Sequence, residues 1–473
     1  MEATNSSISR RSFFEKSSTA GLAAGAFTIV RPELVRGAGK EMLKTGLVGC
    51  GGRGTQAIID HLTGTQNTQI VAMADLFEDK LEGSLRKLKE DPKLGALQDR
   101  IKVDPEKRFV GFQAFEKLLQ TDIDIVMLAT PPGYRPMHFE AAINAKKHVF
   151  CEKPFGTDPV GVRRFMDAVK ISEQQKLTVV SGAQRRFQKP YMEAVDKIKQ
   201  GGIGDIAAAY AYWVGTPVIQ QPNGRDPKWG DMTWQHRNWY SFVWICGDQI
   251  VEQHLHNIDV INWIMGTHPA KVVATGGAVW RPRTEVYGNI YDHIGADFEY
   301  ENGVHLSSYS RQFARGLHTN ISELVVGTKG KFSSKELAAP PINPYVAEHT
   351  ALVSSIRGDG PYINHGMPVA ESTMTCIMAR ESAYSGQALT WDDMMKSKLD
   401  LMPKTFSYDE KMQVPPLPVP GEYKFSLKPA FKLYSARYGH GLRYGRKRRL
   451  ASSCPAPAAS PHPKQAAAVS ATY

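Results

Sequence analysis

Cysteine is scarce in this chain of 473 residues, and its five cysteines show no pairing pattern. They are odd in number, far apart and free of any CxxC pair: Cys50, Cys151, Cys246, Cys376 and Cys454. This spacing argues against a disulfide framework and against a cysteine-ligated structural zinc site. We therefore expect isolated core thiols.

A long apolar run is also missing. An N-terminal apolar stretch, residues 20–30, is too short and too rich in glycine and alanine to span a bilayer as a stable helix, so no stable membrane insertion is expected. Arg10 and Arg11 precede this stretch, an order that resembles a twin-arginine export signal. The sequence thus predicts export to the periplasm, with residues 1–40 as signal and linker. A disordered basic start is the alternative.

Acidic residues are absent from the C-terminal segment. Residues 432–473 contain eight Lys or Arg and no Asp or Glu, so they supply +8 of the formal net charge of +11. The remainder of the chain is close to neutral, and no nucleic-acid partner is expected for the folded body. Because the segment is rich in Ala, Ser and Pro and poor in large apolar residues, residues 431–473 are predicted to be a disordered tail.

The chain length and the apolar pattern predict two folded domains. Apolar strands alternate with helical segments, as in a parallel, doubly wound α/β sheet that binds ligands at the carboxyl ends of its strands. The predicted strands after the first, which precedes the glycine turn, cover residues 69–74, 123–129, 148–151 and 177–181, and the predicted helices lie near 115–119, 138–145 and 159–174. We assign residues 41–182 to this domain and 183–430 to a second one, whose helix near 368–386 is predicted to pack back on the first.

A glycine-rich turn follows the first predicted strand. Gly49, Gly51 and Gly54 satisfy the GxGxxG pattern, which lets a pyrophosphate approach the N-terminus of the next helix. The second strand leads into Asp75, a carboxylate placed to bind a ribose 2′-hydroxyl and to repel a 2′-phosphate. This context predicts a site for NAD over NADP. A glycine turn in an unrelated α/β protein is the alternative.

Further motifs follow in order along the chain: Thr130-Pro131-Pro132 with His138, Glu152-Lys153-Pro154, Gln184-Arg185-Arg186-Phe187 and His256-Asn257-Ile258-Asp259. Together with the glycine turn, they resemble the Gfo/Idh/MocA family over roughly residues 44–400. The resemblance implies an NAD-dependent oxidoreductase that acts on a CH–OH group of a sugar or polyol. It also implies an α+β second domain with a large open, mostly antiparallel sheet, and assembly as a homo-oligomer.

The glycine turn and the resemblance together predict a cofactor-binding set: Gly49, Gly51, Gly52, Arg53, Gly54, Asp75, Thr130, Pro131, His138, Glu152 and Lys153. Free NAD is not expected outside the cytoplasm. An exported enzyme of this kind is therefore expected to hold its NAD tightly and to recycle it with a second substrate.

Three residues are predicted to be catalytic. Lys153, at the carboxyl end of a strand and fixed by Pro154, can hold a substrate hydroxyl and stabilise the alkoxide that forms as hydride leaves. The resemblance places the acid/base histidine at His256, with an acidic residue four positions earlier, where this chain has Glu252 and most relatives have Asp. Apolar spacing predicts an amphipathic helix on which Glu252 and His256 share a face. His254 faces another direction, so no metal site is expected.

Candidate substrate-binding residues are polar or aromatic: Arg185, Arg186, Arg237, Asn238 and Trp239. A core role is the alternative for the aromatic residues of this region. The sequence is also compatible with two other functions. One is a redox-assisted glycosidase of the same superfamily, and the other is a non-catalytic module that binds a nucleotide or sugar.

Overall fold

The computed structural model of the protein describes residues 41–218, 222 and 224–425. The predicted export signal, the predicted tail of residues 431–473 and Cys454 lie outside these described residues. Within them, the chain forms two sheets with helices packed around them.

The first sheet belongs to the N-terminal domain. Its strands are β1 (Leu43–Val48), β2 (Thr68–Asp75), β3 (Arg108–Val110), β4 (Ile125–Leu128), β5 (His148–Cys151) and β6 (Val179–Ser181). The α-helices between them are α1 (Gly52–Gly64), α2 (Glu78–Glu90), α3 (Ala114–Leu119), α4 (Arg135–Asn144) and α5 (Pro159–Gln174). All strands are parallel in the order β3-β2-β1-β4-β5-β6, which confirms the predicted doubly wound sheet. The strand order reverses between β1 and β4, where dinucleotides bind in such folds.

The second sheet follows helix α6 (Lys189–Lys199). Its strands are β7 (Ile206–Gly215), β8 (Lys271–Gly277), β9 (His293–Glu299), β10 (His305–Gln312), β11 (Asn320–Gly327), β12 (Lys331–Ser333) and β13 (Leu389–Thr390). The accompanying helices are α7 (Asp231–Arg237), α8 (Val243–Cys246), α9 (Leu255–Met265), α10 (Pro344–Arg357), α11 (Gly366–Ser385) and α12 (Trp391–Lys396). The order is β12-β11-β7-β10-β9-β8-β13, and only β7 and β10 pair in parallel, so the mostly antiparallel sheet is confirmed.

The two sheets differ in how their faces are covered. Strand β4 is buried along its whole length because helices cover both faces of a parallel sheet. On β8, Val272 and Ala274 are buried whereas Val273 between them is exposed. Successive strand residues point to opposite faces, so one face of the second sheet packs on the core and the other is open.

Helix α9 differs from the amphipathic helix that the apolar spacing predicts. A π-helical turn, Ile250–His254, precedes it, and nearly all of α9 is buried, since it packs against β7 and β11 on one side and α11 on the other. Several polar side chains of the π turn and α9 are buried with partners: His254 with Ser308, Asn257 with Glu323, Asp259 with Arg186 and Asn262 with Tyr300. Hydrogen bonding to these partners offsets the cost of burying them.

Helix α11 contacts both halves of the described chain, α5 of the first domain and β8 and α9 of the second. Its Arg380 is fully buried. The guanidinium donates to the Glu381 carboxylate and to the carbonyl oxygens of Thr157 and Gly247. Thr157 lies just after the Glu-Lys-Pro motif and Gly247 just before the π turn, so Arg380 ties the two segments that carry the predicted catalytic residues.

Candidate active site

The glycine turn between β1 and α1 leaves open space where a phosphate can approach. Gly49 has φ +100°, a conformation that favours glycine, and a Cβ on Gly54 would lie 1.9 Å from the Gly49 carbonyl oxygen. By contrast, a Cβ on Gly51 or Gly52 would meet no atom within 4 Å. The N-terminus of the 13-residue helix α1 faces this space, so the turn fits a dinucleotide pyrophosphate.

Asp75 is held at the end of β2 beside this turn. One carboxylate oxygen accepts from the Cys50 N–H at 2.6 Å and the other accepts from the Phe77 N–H at 2.9 Å. Burial raises the pKa of Asp75 in spite of these hydrogen bonds. The carboxylate thus has a fixed orientation at the position where NAD sites bind the adenosine ribose.

Thr130 and His138 interact at the end of β4. The Thr130 hydroxyl lies 3.1 Å from His138 Nδ1, and His138 packs against the rings of Phe115 and Tyr134. Burial lowers the pKa of His138 to about 3, so the imidazole is neutral at physiological pH. Neutral His138 therefore orients Thr130, and Pro131 follows at the edge of the crevice.

Arg53 and Glu152 form the centre of a buried charge network. Arg53 Nε lies 2.5 Å from Glu152 Oε1, and its other nitrogens lie 3.2 Å from Asp60 and 3.1 Å from Glu348. Burial, followed by the charge of Glu152, raises the pKa of Glu348 well above its ordinary value. This network links the glycine turn to the residue that precedes Lys153. It also ties α10 to both, a connection that sequence reasoning missed.

Lys153 meets Glu252 across the crevice between the two domains. Its Nζ donates to the Glu252 backbone carbonyl oxygen at 2.5 Å and to Glu252 Oε1 at 3.0 Å, and both side chains are 9% exposed. The other carboxylate oxygen, Oε2, accepts from Gln253 at 2.6 Å. Two residues that are 99 positions apart in sequence are therefore joined at one point.

His256 lies beside this pair. Burial lowers the pKa of His256 well below its ordinary value, and the charges of Lys153, Arg185 and Arg53 lower it further. Its Nδ1 is buried and has no hydrogen-bond partner among the described residues. The ring stacks on Trp213, with centroids 6.0 Å apart and planes 26° apart. Lys153, Glu252 and His256 thus form one cluster with a neutral imidazole.

The two consecutive arginines of the Gln-Arg-Arg-Phe motif have different partners. Arg185 pairs with the buried Glu323 and lies near enough to His256 for its charge to act on that imidazole. Arg186 forms two hydrogen bonds of 2.8 Å with Asp259, inside the fold. A substrate role for either arginine stays a prediction, and Arg185 is the one placed beside the cluster.

Arg237 ends α7, Asn238 and Trp239 follow it, and the contacts of all three are with the protein. Arg237 donates to both carboxylate oxygens of Asp79, at 3.0 and 2.7 Å. The Asn238 amide donates to the Val286 carbonyl oxygen at 2.7 Å, and Trp239 packs edge-on against Tyr240. Their predicted substrate role remains untested, and the Asp79 contact places Arg237 beside the strand β2 end.

Two residues near the cluster were missed from the sequence. Trp213 lies near the end of β7, where its alternation with the buried Ala209 and Ala211 puts it on the helix-covered face. Glu323 is fully buried on β11 and binds Arg185, Asn257 and the Tyr191 hydroxyl. Strand alternation could have indicated Trp213, but no local signal identifies the partners of Glu323.

Cys50, Cys151, Cys246 and Cys376 are buried free thiols. In the described ranges, no three histidine, cysteine or acidic residues are placed to hold a metal ion. Across the same ranges, no helix combines the length and apolarity that crossing a membrane requires.

Both domains match known sequence families. Residues 43–182 match an oxidoreductase family with an NAD-binding Rossmann fold, and residues 191–333 match the GFO/IDH/MocA C-terminal domain. The chain is 27% identical over 212 residues to the uncharacterized oxidoreductase YrbE of Bacillus subtilis, covering 44% of this chain and 54% of that relative. It is 23% identical over 318 residues to the myo-inositol 2-dehydrogenase of Thermotoga maritima, covering 67% of this chain and 80% of the relative.

Solved structures share the fold at low sequence identity. The scyllo-inositol dehydrogenase of Lactobacillus casei, with bound NAD(H) and scyllo-inositol, has a TM-score of 0.56 at 21% identity, covering 74% of this chain and 99% of that one. The WlbA dehydrogenase of Bordetella pertussis, in complex with NADH and UDP-GlcNAcA, has a TM-score of 0.58 at 19% identity with the same coverage.

The parallel sheet, the open glycine turn and the matching domains define an NAD-binding oxidoreductase. The chain belongs to the Gfo/Idh/MocA family.

Proposed function

We propose that this protein is an NAD-dependent dehydrogenase that oxidises a CH–OH group of a polyol or sugar, with an inositol as the first candidate. The observation that carries the proposal is the cluster of Lys153, Glu252 and His256 in the crevice beside the glycine turn. The Thermotoga relative and the Lactobacillus structure are both named inositol dehydrogenases, which supports the substrate class.

Lys153 has the role of holding the reacting oxygen. An ammonium group has three N–H donors, and Glu252 accepts two of them, so one remains for a substrate hydroxyl. A positive charge fixed in a buried site stabilises the negative charge that develops on this oxygen as the C–H bond breaks. Glu252 orients the ammonium from the opposite domain, so the site is complete only when the two domains meet.

His256 has the role of the proton acceptor. A neutral imidazole has a lone pair on one ring nitrogen that can accept a proton, and His256 Nδ1 has no hydrogen-bond partner among the described residues. In the oxidation, the hydroxyl O–H bond breaks and its proton goes to His256, while the C–H bond breaks and its electron pair leaves as hydride. NAD, once bound, would supply the hydride acceptor through its nicotinamide ring. The product is the corresponding carbonyl compound.

The glycine turn, Asp75, Thr130 and Glu152 would hold NAD, and we propose that they retain it tightly. Copurification of the nucleotide through dialysis supports this proposal, and an apo protein that needs added NAD contradicts it. The proposed reaction is tested by a screen of inositols, other polyols and sugars, which follows absorbance near 340 nm, a property of the reduced nicotinamide. We expect at least one of these compounds to reduce NAD to NADH. The proposal is contradicted if none of them does.

A redox-neutral reaction is the second candidate. One relative, 27% identical over 202 residues, is named a 2,7-anhydro-N-acetylneuraminate hydratase, a reaction class without net oxidation. A transient oxidation can acidify a neighbouring C–H group, allow an elimination and then return the hydride. Product analysis separates the candidates, since cleavage of a glycoside without a keto-sugar favours the redox-neutral route.

We propose that the open face of the second sheet joins copies of this chain in a homo-oligomer. Val273 and Tyr309 lie on this face and are about half exposed, at 58% and 52%, and the Tyr309 ring stacks on that of Tyr212. Exposed apolar surface of this kind favours association, because a partner that covers it removes it from water. Light scattering of the purified chain tests the proposal, with a dimer or tetramer expected and a monomer contradicting it.

Export by the twin-arginine route is also a proposal, and it rests on Arg10 and Arg11 with the apolar stretch after them. Replacing both arginines with lysine is expected to hold the protein in the cytoplasm. Fractionation of cells that express the two forms checks this, and identical periplasmic amounts contradict it.

A further inference from the structure

An arginine from the second domain lies at the edge of the predicted dinucleotide crevice. Arg237 donates from its two terminal nitrogens to both oxygens of Asp79, at 3.0 and 2.7 Å. Its guanidinium carbon lies over two rings, 4.0 Å from the centre of Phe77 and 5.1 Å from the centre of Trp229. The two hydrogen bonds and the two rings together hold the guanidinium in position.

This arginine is close to the residue that would bind the adenosine ribose. Asp79 lies in the first turn of α2, four residues after Asp75 at the end of β2. The hydrogen bond with Asp79 raises the pKa of Arg237, and the charge of Asp75 also contributes to the increase. In dinucleotide sites, this position decides between NAD and NADP, because a carboxylate binds the 2′-hydroxyl and an arginine binds the 2′-phosphate. This chain carries both groups.

We propose that Asp79 and Arg237 form a cofactor-selection pair, in which Asp79 occupies the guanidinium arms that would otherwise bind the 2′-phosphate of NADP. A carboxylate and a phosphate both accept the same two parallel N–H bonds from arginine. Asp79 therefore excludes the phosphate by occupying the arginine that would bind it. The inference rests on the proposed binding of a nicotinamide dinucleotide.

The pair contributes little to folding. The Asp79 side chain is 57% exposed and that of Arg237 is 21% exposed, and exposed ion pairs of this kind contribute little to stability. Other contacts hold the segment that precedes Asp79 in place. The Tyr408 hydroxyl donates to the Leu76 carbonyl oxygen at 2.6 Å, and the Tyr408 ring packs on Phe77. Breaking the ion pair is therefore expected to leave the fold around Phe77 intact and to release the Arg237 guanidinium from Asp79.

The test compares the affinities of NAD⁺ and NADP⁺ for the full chain after bound nucleotide has been stripped with charcoal. Asp79→Asn is expected to shift the ratio of the two dissociation constants about 10-fold towards NADP⁺. Glu78→Gln is the matched control, because it removes the same charge from the neighbouring exposed position. Its ratio should equal that of the wild type.

A double variant identifies the group that binds the phosphate. Asp79→Asn with Arg237→Met keeps an apolar side chain against Phe77 and removes the guanidinium, so the ratio is expected to return to the wild-type value. The inference is wrong if Asp79→Asn and Glu78→Gln give the same ratio, or if the shift persists without Arg237. Failure of the wild type to bind either nucleotide would instead contradict the proposed function.

Discussion

Lys153 and Glu252 are joined twice, because the ammonium donates both to the backbone carbonyl oxygen of Glu252 and to its Oε1. The backbone contact does not depend on the carboxylate, so it holds the ammonium in place when the carboxylate changes. The carboxylate contact adds the counter-charge that a buried ammonium needs. Position and charge of Lys153 can therefore be tested separately.

Lys153→Met is expected to lower kcat by about 10²–10³-fold, since it removes the group that we propose to stabilise the developing alkoxide. It also leaves the Glu252 carboxylate buried without its counter-ion, at a cost of about 3–5 kcal/mol in the free energy of unfolding. The double variant Lys153→Met with Glu252→Gln removes that unpaired charge. Its stability should recover while its kcat stays low, as measured by urea unfolding and steady-state kinetics. Recovery of kcat in the double variant would contradict a catalytic role for Lys153.

The glycine turn offers a comparison of two alanine substitutions. Gly51→Ala is expected to fold normally and to bind NAD more weakly, because its methyl group meets no protein atom and lies where a phosphate approaches. Gly54→Ala is expected to unfold at lower temperature, since its methyl group would overlap the Gly49 carbonyl oxygen. Gly83→Ala on α2, where a Cβ meets no atom within 4 Å, is the control and should change neither property unfavourably. Thermal unfolding and NAD titration of all three variants check this, and unchanged NAD affinity in Gly51→Ala would be evidence against the phosphate site.

The strands of the first sheet were predictable because each is a short apolar run between helical segments. β3 was not predicted, since it has three residues of which none is buried, and such a strand leaves little apolar signal. The glycine turn and Asp75 were predictable for a related reason. Their function depends on a local order of strand, turn and helix that the sequence carries directly.

The contacts between the domains could not be predicted from the sequence. The α9 residues looked like one apolar and one polar face, yet the polar side is buried because Glu323, Arg186 and Tyr300 reach it from distant segments. The approach of Lys153 to Glu252 likewise depends on how the second domain packs on the first. No spacing rule within one segment encodes such pairs.

Stability is expected to fall as the pH falls below about 6.5, the pKa of histidine in an unfolded chain. Burial lowers the pKa of His61, His138, His254 and His365 to about 3 and that of His236 to about 4, and it also lowers the pKa of His148, His256 and His349. Between these values and 6.5, the unfolded chain takes up protons that the folded chain does not. Each histidine therefore lowers the free energy of unfolding by up to about 1.4 kcal/mol per pH unit.

Carboxyl groups whose pKa is raised by burial act in the opposite direction, and Asp75, Glu348 and Glu371 are among them. Burial raises the pKa of Asp158 and Asp248 to about 6, so their contribution to stability is lost as the pH rises from about 4 towards 6. The histidines outnumber them, and urea unfolding should give a lower free energy at about pH 5 than at about pH 7. His61→Asn should remove the contribution of one histidine to the pH dependence of the free energy of unfolding. A free energy that is equal or higher at the lower pH would show that these imidazoles are not buried in their neutral form.

Arg380 is expected to be among the most sensitive positions in the fold. Arg380→Met would leave Glu381 buried without its counter-ion and the carbonyl oxygens of Thr157 and Gly247 without a donor, at a cost of about 3–5 kcal/mol. Arg380→Lys keeps the charge with fewer donors, so its loss should be smaller. Urea unfolding of both variants measures the difference, and equal losses would contradict a role for the guanidinium geometry.

The proposed action of Lys153 and His256 on one reacting CH–OH group is tested most directly by tracing the hydride. A polyol with deuterium at its reacting carbinol carbon is mixed with the NAD-loaded protein, and the nucleotide is analysed by mass spectrometry after a single turnover. The account predicts deuterium in NADH for the wild type, with transfer slowed about 10²–10⁴-fold in His256→Asn. Deuterium that stays in the polyol or passes to water, or an unchanged rate in His256→Asn, would contradict it.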